Sequence, residues 1–267
     1  METVTSRDGT TIAVERAGEG PAVVLVGGGL DDGSENAPLV PALAQSFTVL
    51  NYARRGRAGS TDAAPPVARG QVGGRDAVAR EIEDLAAVIT AAGGTAHVFG
   101  ASSGGALALE AAAAGLPVGR IAVYEVPYLI EPAIVAAFAE YAVELHRLLG
   151  AGEGGAAVEL FMRLAGSEDD DVAAARSAPV WPALEALAPT LAYDAACLGD
   201  GRPPVARLAT VTGALLVLTG DGGGLFEPAA EAIAAAAPAA RRHVLAGQGH
   251  VADPAALVPV LTRFFSG

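Results

Sequence analysis

Cysteine is almost missing from this chain of 267 residues, Cys197 being the only one. That excludes an internal disulfide and a zinc site built from several thiolates, and it leaves Cys197 to be read as a small buried apolar residue. Basic residues are scarce as well. Seventeen cationic side chains stand against 30 carboxylates, a formal charge of -13. They are spread thinly, so the basic face that nucleic acid or an anionic membrane would demand is not expected. Long apolar runs are also missing. Although 52% of the residues are hydrophobic, alanine is the commonest of them, and charges, prolines and 34 glycines interrupt the pattern. No stretch reaches the roughly 18–20 residues that cross a bilayer. The opening METVTSRDGT has no basic patch leading into an apolar segment and does not read as a secretory leader. The expectation is a cytoplasmic protein with one large core, or one core carrying an insertion.

What the chain does contain is a regular alternation. TVTSRDGTTIAVERAG alternates apolar and polar positions on both sides of Asp8-Gly9, the turn chemistry of a β-hairpin. PAVVLVGGG and FTVLNY are unbroken apolar runs of strand length, as expected of strands covered on both faces, with a short helix over 37–45 between them. Residues 75–92 place Val78, Ile82, Leu85, Ala86 and Ile89 on one helical face, and Gly93-Gly94 ends the pattern. The strand TAHVFG, a helix over 103–114 and the strand RIAVYEV follow.

From 127 to 212 the pattern changes. Helical segments over 134–149, 156–165, 172–177 and 181–187 are joined by glycine, proline and acidic loops, with no strand signal. Strand and helix resume with ALLVLTG, 228–237, RRHVLAG and 254–265. The prediction is an α/β fold with a mostly parallel central sheet and helices on both faces. Residues 1–126 and 213–267 form its core, and 127–212 form an inserted helical cap.

One stretch carries chemistry. In FGASSGGALALE a strand ends, Gly100 and Gly104 flank Ser102, and a helix begins. A serine must project from the backbone to attack a carbonyl, and a very tight strand-to-helix turn achieves that only if its flanking positions are small. With nine serines and 34 glycines, chance supplies on the order of 0.15 matches to G-x-S-x-G. The strand before and the helix after are what distinguish this one from a glycine-rich turn that merely lets a helix pack close to a sheet.

With this turn, the sequence resembles the α/β-hydrolase superfamily over nearly its whole length. The resemblance rests on GASSG, on VVLVGGG near the start, on YARRGRAGS after the next strand, on LLVLTGD after the insertion and on GQGH near the end. It implies a nucleophile at Ser102, a helical cap and a late histidine as base. His250, in the glycine-rich GQGHVADP, stands where that base is kept, and neutral imidazole suits proton transfer near pH 7. Of the other histidines, His97 reads as packed within its strand, His243 as structural and His146 as a surface residue on a cap helix. The tetrahedral intermediate of acyl transfer needs two donors. The resemblance implies the backbone N–H groups of Ser103 and of Gly28, the latter in a loop where Val26 replaces the family's usual histidine.

The acid is ambiguous. Most relatives keep an Asp about three residues beyond the Gly that ends the strand after the cap. Here that position is Gly223, and the nearby Asp221 follows Gly220 directly. In some haloalkane dehalogenases the acid instead ends the strand after the nucleophile helix, and here Glu125 ends RIAVYEV, 23 residues after Ser102. A carboxylate there is costly to bury unpaired, which favours Glu125 over Asp221. Asp253, before Pro254, reads as a helix N-cap. YARRGRAGS departs from its family counterpart at Ala53 and Ala58, and Arg54, Arg55 and Arg57 read as solvated or paired on a turn.

The resemblance thus implies a serine hydrolase acting on a carboxylic ester, thioester or lactone, with no metal and no organic cofactor. Its partner would be a small molecule, an apolar acyl or ester compound. Tyr128, Phe138, Tyr141, Phe161, Trp181 and Tyr193 are candidates for the pocket or for the core. A cofactor-free lyase, isomerase or perhydrolase on the same fold, or a small-ligand-binding protein without turnover, are the competing readings. An Asp nucleophile, as in dehalogenases and epoxide hydrolases, is absent.

Overall fold

The computed structural model describes residues 1–64, 75–222 and 224–267. Strands β1 (Glu2–Thr5) and β2 (Thr11–Ala17) form the expected antiparallel hairpin, turning at Gly9, whose φ of +89° is open to glycine at no steric cost. They are followed by β3 (Ala22–Val26), β4 (Thr48–Tyr52), β5 (Ala96–Ala101), β6 (Val118–Tyr124), β7 (Leu215–Gly220) and β8 (Ala240–Leu245). The eight strands make one sheet in the order β1-β2-β4-β3-β5-β6-β7-β8, parallel from β4 to β8.

The unbroken apolar runs have a direct cause. In β3, Val24 and Val26 face one side of the sheet while Val23 and Leu25 face the other, and all four are fully buried. Helices α2 (Arg75–Ala91), α3 (Ser103–Ala113) and α10 (Phe226–Ala236) cover the first side. Helices α1 (Val40–Leu43) and α11 (Pro254–Ser266) cover the second. This α/β fold is the predicted one.

Between β6 and β7 the described chain is helical: α4 (Pro132–Gly150), α5 (Gly154–Leu164), α6 (Asp169–Ser177), α7 (Trp181–Leu187), α8 (Leu191–Leu198) and α9 (Val205–Leu208). Phe138, Tyr141, Leu145, Val158 and Trp181 give this segment an apolar cluster of its own. The sequence reading anticipated α4 to α7 but not α8 or α9. Helix α8 packs against α2 and α3, so it joins the segment to the helices on one side of the sheet.

The strand order places the site. The chain runs from β3 to β4 on one side and then crosses to β5 on the other side of β3. A crevice opens at the carboxyl ends of strands where the order reverses in this way. The loop after β3 begins at Gly27 and the turn after β5 holds Ser102, so both lie at that point.

Candidate active site

Ser102 sits between β5 and α3 with φ 53° and ψ -127°, a backbone conformation that costs a residue with a side chain on the order of 1–3 kcal/mol. The flanking glycines make it possible. A Cβ on Gly100 would lie 2.5 Å from the carbonyl oxygen of Gly104, and one on Gly104 would lie 2.4 Å from that of Val26. Both contacts are with backbone, which cannot swing aside. The small flanking residues that the sequence motif demands are therefore required by the approach of strand to helix.

Gly28 lies directly against the serine. A Cβ built there would be 3.0 Å from Ser102 Cβ and 3.6 Å from its Oγ. Ser103 is the first residue of α3 and is buried. Its N–H, like those of any first turn, has no acceptor within the helix. The two backbone groups expected to hold an oxyanion thus flank one side chain.

His250 Nδ1 is 2.8 Å from Glu125 Oε2. The second oxygen of Glu125 accepts from Gly220 N–H at 2.9 Å, and the side chain is only 5% exposed. Gly220 has a second part in this arrangement, because a Cβ there would fall 2.0 Å from the carbonyl oxygen of Gln248, in the loop carrying His250. Tyr124 anchors the same loop by donating its hydroxyl to the carbonyl of Gly249. The imidazole stacks on Phe226, centroids 4.8 Å apart and planes 11° apart, and its side chain is 47% exposed. Among the described residues no hydrogen bond joins Ser102 Oγ to His250. Such contacts in ligand-free enzymes commonly close only when substrate is bound.

Asp221 is exposed, and its Oδ1 accepts from Gly247 N–H at 2.8 Å. Gly223, where most relatives keep their acid, lies outside the described residues. Asp253 caps α11 by accepting from Ala255 N–H. His97 stacks on Phe265 and accepts from Arg120 N–H through Nδ1. Burial and the Arg120 charge push its pKa below the usual imidazole value. His243 is exposed on β8, and half-buried His146 lies on α4. Of the aromatic candidates, Phe161 reaches the site region, its Cζ 2.9 Å from where a Gly29 Cβ would be. Tyr128 is instead buried in the core beneath the sheet. Phe138, Tyr141 and Trp181 belong to the cluster between β6 and β7, and Tyr193 donates to Asp62 under the Arg55 guanidinium.

Of the two expectations for the arginines of the turn after β4, solvated or paired, the structure shows the second: Arg54, Arg55 and Arg57 are all at most 1% exposed and ion-paired. Arg54 grips Glu81 through Nε and Nη2, and Asp194 Oδ1 through Nη1 at 2.6 Å. Arg57 makes a two-oxygen contact with Asp194 at 2.8 and 2.9 Å. Arg55 forks onto Asp84, Nε donating to one carboxylate oxygen and Nη2 to the other, both at 2.7 Å. Burial opposes the charge on Asp194, but Arg57 and Arg54 overcome it and hold the carboxyl below its ordinary value. Cys197 is buried as expected, yet it donates to Glu81 Oε2 instead of sitting in purely apolar surroundings.

A cavity of about 90 Å³ adjoins His250, lined among others by Glu35, Leu39, Phe99, Tyr124 and Val251. Burial and neighbouring Asp31 push the Glu35 carboxyl up, against the pull of His250. A wider cavity of about 850 Å³ lies at the other ends of the strands, beside Arg120, Leu215 and Ala240, so volume does not locate the chemistry. Among the described residues no group of three His, Cys, Asp or Glu is placed to hold a metal ion. None of the described helices is long and apolar enough to cross a membrane.

Comparison with known proteins agrees with this geometry. A family model described as the alpha/beta hydrolase family matches residues 23–260. An alpha/beta hydrolase from Sphaerobacter thermophilus is 45% identical in sequence. The match covers 99% of this chain and 100% of that one, with a TM-score of 0.85. At lower identity the likeness is one of fold. An enol-lactonase from Burkholderia xenovorans is 20% identical over 100% of both chains, with a TM-score of 0.70. An esterase from a Rhodococcus species is 22% identical over 100% of this chain and 98% of that one, with a TM-score of 0.69. No curated protein matches the chain.

Proposed function

This chain belongs to the alpha/beta hydrolase family, and from that premise we propose that it is a cytoplasmic serine hydrolase that cleaves a carboxylic ester, thioester or lactone through an acyl-enzyme at Ser102. The observation that carries the reading is the strained Ser102 set against Gly28 at the switch point of the sheet.

The chemistry follows from the groups around it. Glu125 accepts the Nδ1 proton of His250, which leaves the Nε2 lone pair to take the hydroxyl proton of Ser102. The serine oxygen bonds to the substrate carbonyl carbon, and the carbonyl oxygen becomes an oxyanion received by the N–H groups of Gly28 and Ser103. As the tetrahedral adduct collapses, the bond to the alcohol or thiol breaks and His250 returns the proton to the leaving group. Water, deprotonated by the same imidazole, then releases the acid. The 2.8 Å contact of Glu125 with His250, set against the engagement of Asp221 with Gly247, supports Glu125 as the acid. Phe161 and the apolar cavity wall beside His250 support a small apolar acyl compound as substrate, and the helical segment 127–212 is the cap that shapes its pocket.

The test is intact mass after exposure to a fluorophosphonate probe. A single adduct is expected on the wild type, absent from Ser102→Ala and much slower on His250→Ala. Folded wild-type protein without an adduct would remove the serine mechanism.

A further inference from the structure

A buried charge network under the oxyanion loop has no part in the mechanism above. Its members come from three distant parts of the sequence: Arg54 and Arg57 after β4, Glu81 on α2, and Asp194 on α8. Each is at most 4% exposed. Two guanidiniums and two carboxylates balance in charge, and withdrawing four ionised groups from water costs several kcal/mol apiece unless the geometry repays it. A structural role alone could be filled by apolar residues of similar size.

What the cations touch is specific. Arg54 Nη1 donates to the carbonyl oxygen of Gly27 at 3.1 Å. Arg57 Nη1 donates to the carbonyl oxygen of Gly28, and to that of Asp31 at 3.0 Å. No peptide bond among the described residues is cis. In a trans peptide the C=O and the following N–H point in opposite directions. With the Gly27 carbonyl held by Arg54, the Gly28 N–H is turned away from the arginine. The same carboxylate reaches the second donor residue, since Ser103 Oγ donates to Asp194 Oδ1 at 2.7 Å and lies 3.4 Å from Arg54 Nη1. One aspartate therefore holds both arginines and the side chain of Ser103.

We propose that Asp194 is a positioning residue which, through Arg54 on the Gly27–Gly28 peptide and Arg57 on the Gly28–Gly29 peptide, fixes this loop and the first residue of α3 so that the Gly28 and Ser103 N–H groups are set for the oxyanion before substrate arrives. The inference rests on the serine mechanism proposed above and deepens it. Donors already aligned need no reorganisation as charge develops, which is where such sites gain most of their rate. Glycine in this loop gives the backbone freedom that the arginines then remove.

The pair Arg55–Asp84 is the built-in control. It is buried in the same turn, Arg55 meeting both oxygens of its aspartate through Nε and Nη2, but the partners of Arg55 are Asp84, Asp8, Asp62, the carbonyl of Arg80 and the ring of Tyr193 on α8, none of them in the oxyanion loop. Asp194→Asn and Asp84→Asn are compared with the wild type for hydrolysis of p-nitrophenyl acetate and for the rate of fluorophosphonate labelling, at a temperature where circular dichroism shows each folded. Asp194→Asn is expected to lower kcat about tenfold to a hundredfold with KM within twofold, and to slow labelling by the same factor, because both reactions place an oxygen between the two donors. Asp84→Asn is expected to lower the melting temperature while kcat stays within twofold. Equal effects of the two variants on kcat, or a change of Asp194→Asn confined to KM, would overturn the inference with the serine mechanism intact. A wild type that neither labels nor turns over would remove both. If Asp194→Asn does not fold, Ser103→Ala decides. It keeps the arginines paired and is expected to lower kcat several-fold at constant KM, and an unchanged kcat would overturn the inference.

Discussion

The two arginines that grip the carbonyls of the Gly27–Gly28 loop are buried and ionised. The proposed base is by contrast an imidazole nearly half exposed, seated on a glycine loop and steadied by one carboxylate and one aromatic ring. The two flanks have different work to do. Oxyanion donors must hold still while charge moves toward them, and low-dielectric ion pairs resist displacement. A base must take a proton, carry it and give it up to a leaving group at a slightly different place, which needs freedom about the ring. In the proposed mechanism stiffness therefore falls to the donor flank and freedom of the ring to the His250 flank.

The sharpest way to break this contrast is to disable the mobile flank without touching the stiff one. Glu125→Gln keeps an oxygen for Gly220 N–H but loses the charge facing His250, and kcat/KM is expected to fall roughly 10²–10⁴-fold, whereas Asp221→Asn should stay within twofold. Steady-state hydrolysis of an activated ester measures both. Next comes the stiff flank: Gly28→Ala puts a Cβ 3.0 Å from that of Ser102, and the displacement should cost about tenfold to a hundredfold in kcat, read in the same assay. Phe226→Ala removes the ring under His250 and is expected to cost only about twofold to tenfold, the worth of one aromatic contact.

The smallest effect separates the flanks by acid. Asp194 is held below the usual aspartate value in the folded chain. Its ionised form therefore stabilises the fold above that usual value, and the contribution is lost as pH falls through the lower folded value. The melting temperature of the wild type should approach that of Asp194→Asn as pH drops below about 4, as followed by thermal denaturation.

Much of the mobile flank was legible in sequence. G-x-S-x-G between an apolar strand and a helix marked Ser102, the late glycine loop marked His250, and a carboxylate ending the strand IAVYE stood out as a group that would need a partner. The stiff flank was harder to read. Arg54 and Arg57 lie 140 and 137 residues from the aspartate that holds them, and nothing local distinguishes an arginine on a turn from one that the turn buries. Asp194 is the lone charge in LAYDAACL, a short helix that the sequence pattern did not mark. Local pattern specifies the elements, whereas charge pairing depends on which elements meet.

Helix α8 also bears on how this protein can be recombined. A foreign segment grafted between β6 and β7 would have to meet the core at the same joint. Asp194 makes the joint asymmetric: a transplanted segment without a carboxylate at that place would leave Arg57 and one arm of Arg54 with unanswered charge in the interior. Glu125 lies on the other seam, one residue past β6, so a crossover placed before it would discard it. A productive chimera must break after Val126 and carry an aspartate equivalent to Asp194. Glu125 stays with the core, whereas the aspartate must arrive with the segment.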